Sequence, residues 1–150
     1  QLLGELVELG VSPNDIYNQM EGGNTLISQR FLATLLLRAQ SLLEGRLMIV
    51  EEEPADVTNF DLNDRPSDLL YSHLLGVDKV EVVLYFKYIA SDVWEIGFRS
   101  SHSSSIDVGA ISSTLSGGGH RKAAGATVEG KLEDLKKLLI TTIERELNRE

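Results

Sequence analysis

Ser116-Gly117-Gly118-Gly119-His120-Arg121-Lys122-Ala123-Ala124-Gly125 is the stretch around which the rest of the chain is organised. Glycine gives up more backbone freedom on folding than any other residue, so three in a row need a reason. Close backbone approach is one: without β-carbons, successive N–H groups can turn toward one point and form a concavity that binds anions, phosphate above all. His120, Arg121 and Lys122 add an imidazole and two fixed positive charges at that place. Ala123, Ala124 and Gly125 let the chain pack tightly behind it. A flexible turn is the alternative reading of the glycines alone.

Working outward, a helix is expected from about Ile106 to Leu115, capped by Ser105 or Asp107 and buried through Val108, Ile111 and Leu115. The first glycine would supply its left-handed cap. Asp107 stands alone, and helix capping suits it better than metal ligation. Downstream, Ala126 to Val128 reads as a strand, and Leu132, Leu135, Leu138, Leu139, Ile143 and Leu147 recur at helical spacing in a terminal helix. Upstream lies the clearest hairpin. Val80, Val82, Leu84 and Phe86 alternate to one face, and after a turn near Ala90-Ser91-Asp92 the residues Trp94, Ile96 and Phe98 do the same. Alternation puts Glu95, Gly97 and Arg99 on the opposite face, with Gly97 leaving room beside Arg99 for a ligand or another backbone. Arg99 is then either a surface residue paired with Glu95 or a planar fork for phosphate. His102, in a serine-rich loop, reads as solvated.

Gly-Gly-Gly-His-x-x-Ala-Ala-Gly at 117–125, with Phe98-Arg99-Ser100-Ser101 and Ile106-Asp107-Val108 to Ile111 before it, resembles the DHH-associated domain of DHH-family phosphoesterases. Bacterial oligoribonuclease/3′-phosphoadenosine-5′-phosphate phosphatases are the members it looks most like. The resemblance spans about residues 45–150. Residues 1–44 look like helices that precede this domain, the tail of or link from a catalytic domain. One departure is Ser116, where many members carry a fourth glycine.

The remaining stretches fit that division. Leu2, Leu3, Leu6 and Val7 form one helical stripe ending at Gly10, and Ser12-Pro13-Asn14-Asp15 starts a short second helix closed by Gly22 and Gly23. Asn24 or Thr25 caps a longer helix expected through about Glu44. Leu47 to Val50 reads as a buried strand, and Glu51, Glu52 and Glu53 after it as a solvated edge, since neighbours on an extended chain point to opposite faces. Pro54 to Arg65 reads as a loop, and Pro66-Ser67-Asp68 as the start of a helix carrying Leu69, Leu70 and Leu74. The fold class is α/β: a small mixed sheet of about four strands flanked by helices, preceded by a helical segment.

Composition bounds the function. The 150 residues carry a formal net charge of -9, which argues against gripping long nucleic acid but leaves room for a local positive pocket. No cysteine is present, which excludes disulfides and thiolate metal sites. No apolar run is long enough for a membrane span, and no secretory leader is visible, so a cytoplasmic location is expected. The first residue is Gln1 rather than Met, and the chain is read as a cut-down piece.

Missing chemistry decides the expected role. Metal-assisted phosphate-ester hydrolysis needs several carboxylates and histidines converging on the metal. None of His73, His102 and His120 adjoins another histidine or follows an aspartate, so no catalytic residue and no metal ligand is assigned to this chain. The resemblance implies a manganese site in a preceding domain, with no cofactor bound by this one. It further implies a substrate-binding role in which Arg99 and His120 hold phosphate, the amides of Gly117, Gly118 and Gly119 cradle it, and Ser100 adds a hydroxyl. The partners implied are a nucleotide or short oligonucleotide and the missing catalytic domain, with a homodimer also open. Alternatives are an RNA-binding or dimerisation module, as at the end of alanyl-tRNA synthetases, and part of a cyclic-dinucleotide phosphodiesterase or RecJ-like exonuclease.

Overall fold

The computed structural model describes residues 12, 24–61, 63 and 65–149. The two helices expected before Gly23 lie outside the described residues.

Helix α1 (Leu26–Arg38) opens at Thr25, whose side chain accepts a hydrogen bond from the Ser28 amide (3.0 Å). It ends at Arg38, short of the expected Glu44, because the next residues form strand β1 (Gln40–Leu42). The reason is which face each segment must reach. Phe31, Leu32 and Leu35 bury on one side of the sheet, whereas Leu42 and Leu43 pack on the other, so one straight helix cannot serve both.

Strand β2 (Leu47–Glu51) follows, then α2 (Pro54–Asn59), α3 (Ser67–Leu75), β3 (Val82–Ala90), β4 (Val93–Ser100), α4 (Val108–Ser113), β5 (Gly118–His120), β6 (Ala123–Glu129) and α5 (Leu132–Leu147). One mixed sheet runs in the order β1-β2-β3-β4-β6-β5, with β2 and β3 parallel and all other neighbours antiparallel. Six strands replace the expected four. The two additions are the three-residue edge strands, too short to show a period.

Two cores sandwich the sheet. On one face Leu84, Phe86, Ile96 and Phe98 pack with Val108 and Ile111 of α4 and Leu139 and Ile143 of α5. On the other, Val50, Val83 and Tyr85 pack under Phe31 and Leu35 of α1 and Leu70, Tyr71 and Leu74 of α3.

The acidic run is not a solvated edge. Glu51 pairs with Lys136 (2.7 Å) and Glu53 is exposed, but the Glu52 side chain is 1% exposed. Its carboxylate accepts two hydrogen bonds from Arg65 (2.8 and 2.7 Å), one from the Tyr85 hydroxyl (2.5 Å) and one from the Tyr88 amide (3.0 Å). Only such pairing makes a buried carboxylate tolerable. This network pins the segment after β2, where the expected loop contains α2. Pro54 stands at the first helical position and buried Asp56 accepts from the Glu53 amide (2.7 Å). Asp56 also takes two bonds from Arg38, tying the end of α1 to α2.

Candidate functional site

Beyond α3, the face of β4, β6 and β5 that carries Arg99 has little over it: Gly118, His120 and Thr127 are exposed and Ala123 and Gly125 half-buried. Register aligns what remains. Gly97 of β4 pairs with Gly125 of β6, which pairs with Gly118 of β5, so three glycines form one row across three strands. In the adjacent row Arg99 pairs with Ala123, and Ala123 with His120. Arg99 and His120 thus stand on the same face, about 10 Å apart at two strand spacings, with one methyl group between. The result is an open depression of about 330 Å3 whose floor is largely bare backbone, bordered by Tyr71, Lys87, Glu95 and Arg99.

Arg99 is not the partner of Glu95, which instead binds Lys87 (2.7 Å). Among the described residues no carboxylate lies within ion-pair distance of Arg99. Its guanidinium lies 4.4 Å from the ring centroid of Tyr71, and one terminal nitrogen donates to the Phe98 carbonyl (2.9 Å). A stacked, half-tethered guanidinium keeps its other donors for an anion.

The space beside Gly97 is filled. A Cβ there would lie 1.9 Å from the Tyr71 hydroxyl oxygen, so Gly97 admits a tyrosine of α3 rather than an open ligand slot. Tyr71 is 4% exposed, its hydroxyl makes no hydrogen bond to the described residues, and burial pushes its pKa well above the ordinary tyrosine value. The sequence pattern, which names Leu69, Leu70 and Leu74 for α3, does not single it out. The signal was the glycine interrupting the alternation of β4.

The glycine run is a hairpin arm and not a coil. Gly118–His120 pairs with Ala123–Gly125 around the two-residue turn Arg121-Lys122. Gly117 is wedged: a Cβ there would lie 2.4 Å from both the Gly125 carbonyl and the Ser112 hydroxyl, and its amide donates to the Ser112 carbonyl (3.0 Å). Gly119 has φ +142°, and a Cβ there would meet the Ala123 carbonyl at 2.5 Å. Gly118 meets nothing within 4 Å and faces the depression. The left-handed residue after α4 is Ser116 (φ 60°) rather than the first glycine, which accounts for glycine at that position in the resembling pattern.

Three residues expected near the anion, Ser100, Arg121 and Lys122, do other work, while His102 and Asp107 stand as the sequence suggests. Ser100 is buried on the opposite face, its hydroxyl within reach of the Ile106 (3.2 Å) and Arg121 (3.4 Å) carbonyls. Lys122 donates to the Ser101 (2.9 Å) and Ser104 carbonyls, and Arg121 to that of Ser105 (2.9 Å), so both cations fasten the serine loop. His102 is exposed in that loop. Asp107 caps α4, accepting from the Ala110 amide (2.9 Å).

Among the described residues no three His, Asp or Glu side chains converge as metal ligands, so they do not fit a manganese ion. None of the described helices is long and apolar enough to cross a membrane.

Known proteins share this architecture. A crystal structure of an exopolyphosphatase-related protein from Bacteroides fragilis superposes with TM-score 0.81 at 18% identity, over 99% of this chain and 44% of that one. A pGpG-specific phosphodiesterase from Vibrio cholerae superposes with TM-score 0.56 at 12% identity, over 82% of this chain and 39% of that one. At such identities the likeness is one of fold, and the chain spans less than half the length of either protein. No curated protein matches the sequence. The family model of the DHHA1 domain matches residues 50–148, which takes in both the Arg99 strand and the glycine hairpin, and the chain therefore belongs to the DHHA1 domain family.

Proposed function

We propose that this chain is the substrate-holding part of a metal-dependent DHH-family phosphoesterase, acting on nucleotide phosphates or short oligoribonucleotides. The observation that carries the proposal is Arg99: a guanidinium with no carboxylate partner among the described residues, braced on an aromatic ring, at the rim of a bare glycine floor. An anion on that floor meets the fork of Arg99 from one side and His120 from the other, with Gly118 and Gly119 leaving the backbone accessible. Gly117 and Ser100 serve the shape, wedging the hairpin and fixing the loop behind it. A short ligand suits the net charge of -9, which repels long nucleic acid everywhere else.

Manganese, and the carboxylates and histidines that would hold it, belong in this reading to a preceding catalytic domain. The role left to this chain is positioning, which is worth several kcal/mol when it holds the scissile phosphate in line.

Calorimetric titration of the 150-residue chain with 3′-phosphoadenosine 5′-phosphate and with a diribonucleotide tests the proposal. Saturable binding is expected, weakened at least about tenfold by Arg99→Ala, in keeping with a charge-assisted hydrogen bond of about 1.5–3 kcal/mol. Binding that survives Arg99→Ala and His120→Ala together, in variants that remain folded, overturns it. So does ligand hydrolysis by this chain with manganese alone.

A further inference from the structure

We infer that Tyr71 is a ligand-binding residue of the same site, donating its hydroxyl hydrogen to an oxygen of the bound phosphate while its ring holds Arg99 in place. This rests on the function proposed above and adds to it a group on a different element, α3, that the glycine and arginine motifs do not contain.

Three observations converge. The residue is 4% exposed, yet its hydroxyl has no partner among the described residues. A tyrosine whose ring is buried to this degree ordinarily ties its hydroxyl to a protein group. Tyr85, its neighbour in the same core at a ring-centroid separation of 6.1 Å, shows the ordinary solution by donating to Glu52. Next, the hydroxyl is aimed at the site: it occupies the volume a Cβ of Gly97 would take, at one end of the glycine row, and Tyr71 borders the depression. Finally, the ring underlies the guanidinium of Arg99 at 4.4 Å, so hydroxyl and guanidinium belong to one rigid pair facing one small space.

The chemistry selects an anion. Beside a fixed guanidinium, an oxygen bearing negative charge is the acceptor most favoured, and a phosphate offers enough oxygens to engage Arg99 and Tyr71 together. Burial keeps the phenol protonated far into the alkaline range, so it remains a donor. The hydroxyl oxygen has no protein partner among the described residues and, unlike Trp94 Nε1, is not sealed from solvent, so it is free to donate to a ligand.

Tyr71→Phe separates this role from a structural one. The variant keeps the ring under Arg99 and removes only the hydroxyl. With no hydrogen bond to lose, its melting temperature should equal or exceed that of the parent, while its Kd for inorganic phosphate and for 3′-phosphoadenosine 5′-phosphate rises roughly tenfold. Gly97→Ala, which displaces the hydroxyl with the ring chemistry intact, should weaken binding in the same direction if it folds. Unchanged affinity in Tyr71→Phe, with Arg99→Ala still losing binding, overturns the inference and leaves the proposed site standing. Lower thermal stability with unchanged affinity overturns it too, as the mark of a structural hydroxyl. Failure of the parent chain to bind either ligand removes the proposed function and this inference together.

Discussion

The hydroxyl oxygen of Tyr71 lies where a side chain on Gly97 would begin, 1.9 Å from an ideal Cβ. A helix of one layer thus brings a side-chain oxygen against the backbone of the central hairpin, and the glycine is there to admit it. Because the ring is buried and stacked against Arg99, it cannot swing aside cheaply. Gly97→Ala should therefore cost about 1–3 kcal/mol, as overpacking of a filled core does. A urea melt reads this directly, and a variant as stable as the parent would show that Tyr71 has room the structure denies it.

The three glycines of the run are not equivalent. Gly117→Ala and Gly119→Ala each drive a methyl into backbone and should lose about 1–3 kcal/mol. Gly118→Ala meets nothing, so its melting temperature should hold while the methyl, standing on the floor of the depression, weakens phosphate binding. Paired melting and titration of the three alanine variants checks the split.

How much of this was legible follows from the range of the contacts involved. The hairpin Val82–Ser100 shows in strict alternation, α3 in its Pro66-Ser67-Asp68 start, and α5 in a stripe of leucines, all of them local patterns. Arg99 and the glycine run were legible as a motif, and their common row across β4, β6 and β5 was not, since register depends on how a two-residue turn at Arg121-Lys122 folds the run back. Glu52 and Tyr71 were misjudged or missed for one reason. Each is defined by partners 13 to 36 residues away, and nothing in the neighbouring sequence tells a buried, paired glutamate from an exposed one.

Glu52 offers a sharp stability test. Its carboxylate is the shared acceptor for Arg65, Tyr85 and Tyr88, and Glu52→Gln leaves the Arg65 charge, whose side chain is 12% exposed, without its counterion. A loss of about 3 kcal/mol is expected. Arg65→Gln added to Glu52→Gln should recover part of it, because no unpaired charge then remains. Denaturant midpoints of the single and double variants measure the recovery, and a cost within about 0.5 kcal/mol for the single change would contradict the network.

Alkaline pH should weaken the fold through two tyrosines. Burial raises the pKa of Tyr71 against the pull of Arg99, and burial together with the Glu52 carboxylate raises that of Tyr85. In the unfolded chain both titrate near the ordinary value of about 10. Below that pH both states keep the proton and the contribution is intact. Above it the unfolded state binds fewer protons than the folded one, so stability falls with rising pH, by about 1.4 kcal/mol per pH unit for each tyrosine. Urea midpoints from about pH 9 to 11 should show this slope, and Tyr71→Phe should reduce it by about half. A flat profile across that window would mean the phenols are not buried as described.

The central claim is that the row of Arg99 and His120 over the glycine floor holds phosphate. Backbone amide spectra of the chain, recorded while inorganic phosphate and then 3′-phosphoadenosine 5′-phosphate are added, test it most directly. Saturable shifts should gather at Gly97, Arg99, Gly118, Gly119, His120 and Gly125, strands apart in sequence but adjacent on one face, and should vanish in Arg99→Ala. Shifts centred instead on the hollow between Arg46 and Ser103, or no saturable shift in a folded chain, would contradict it.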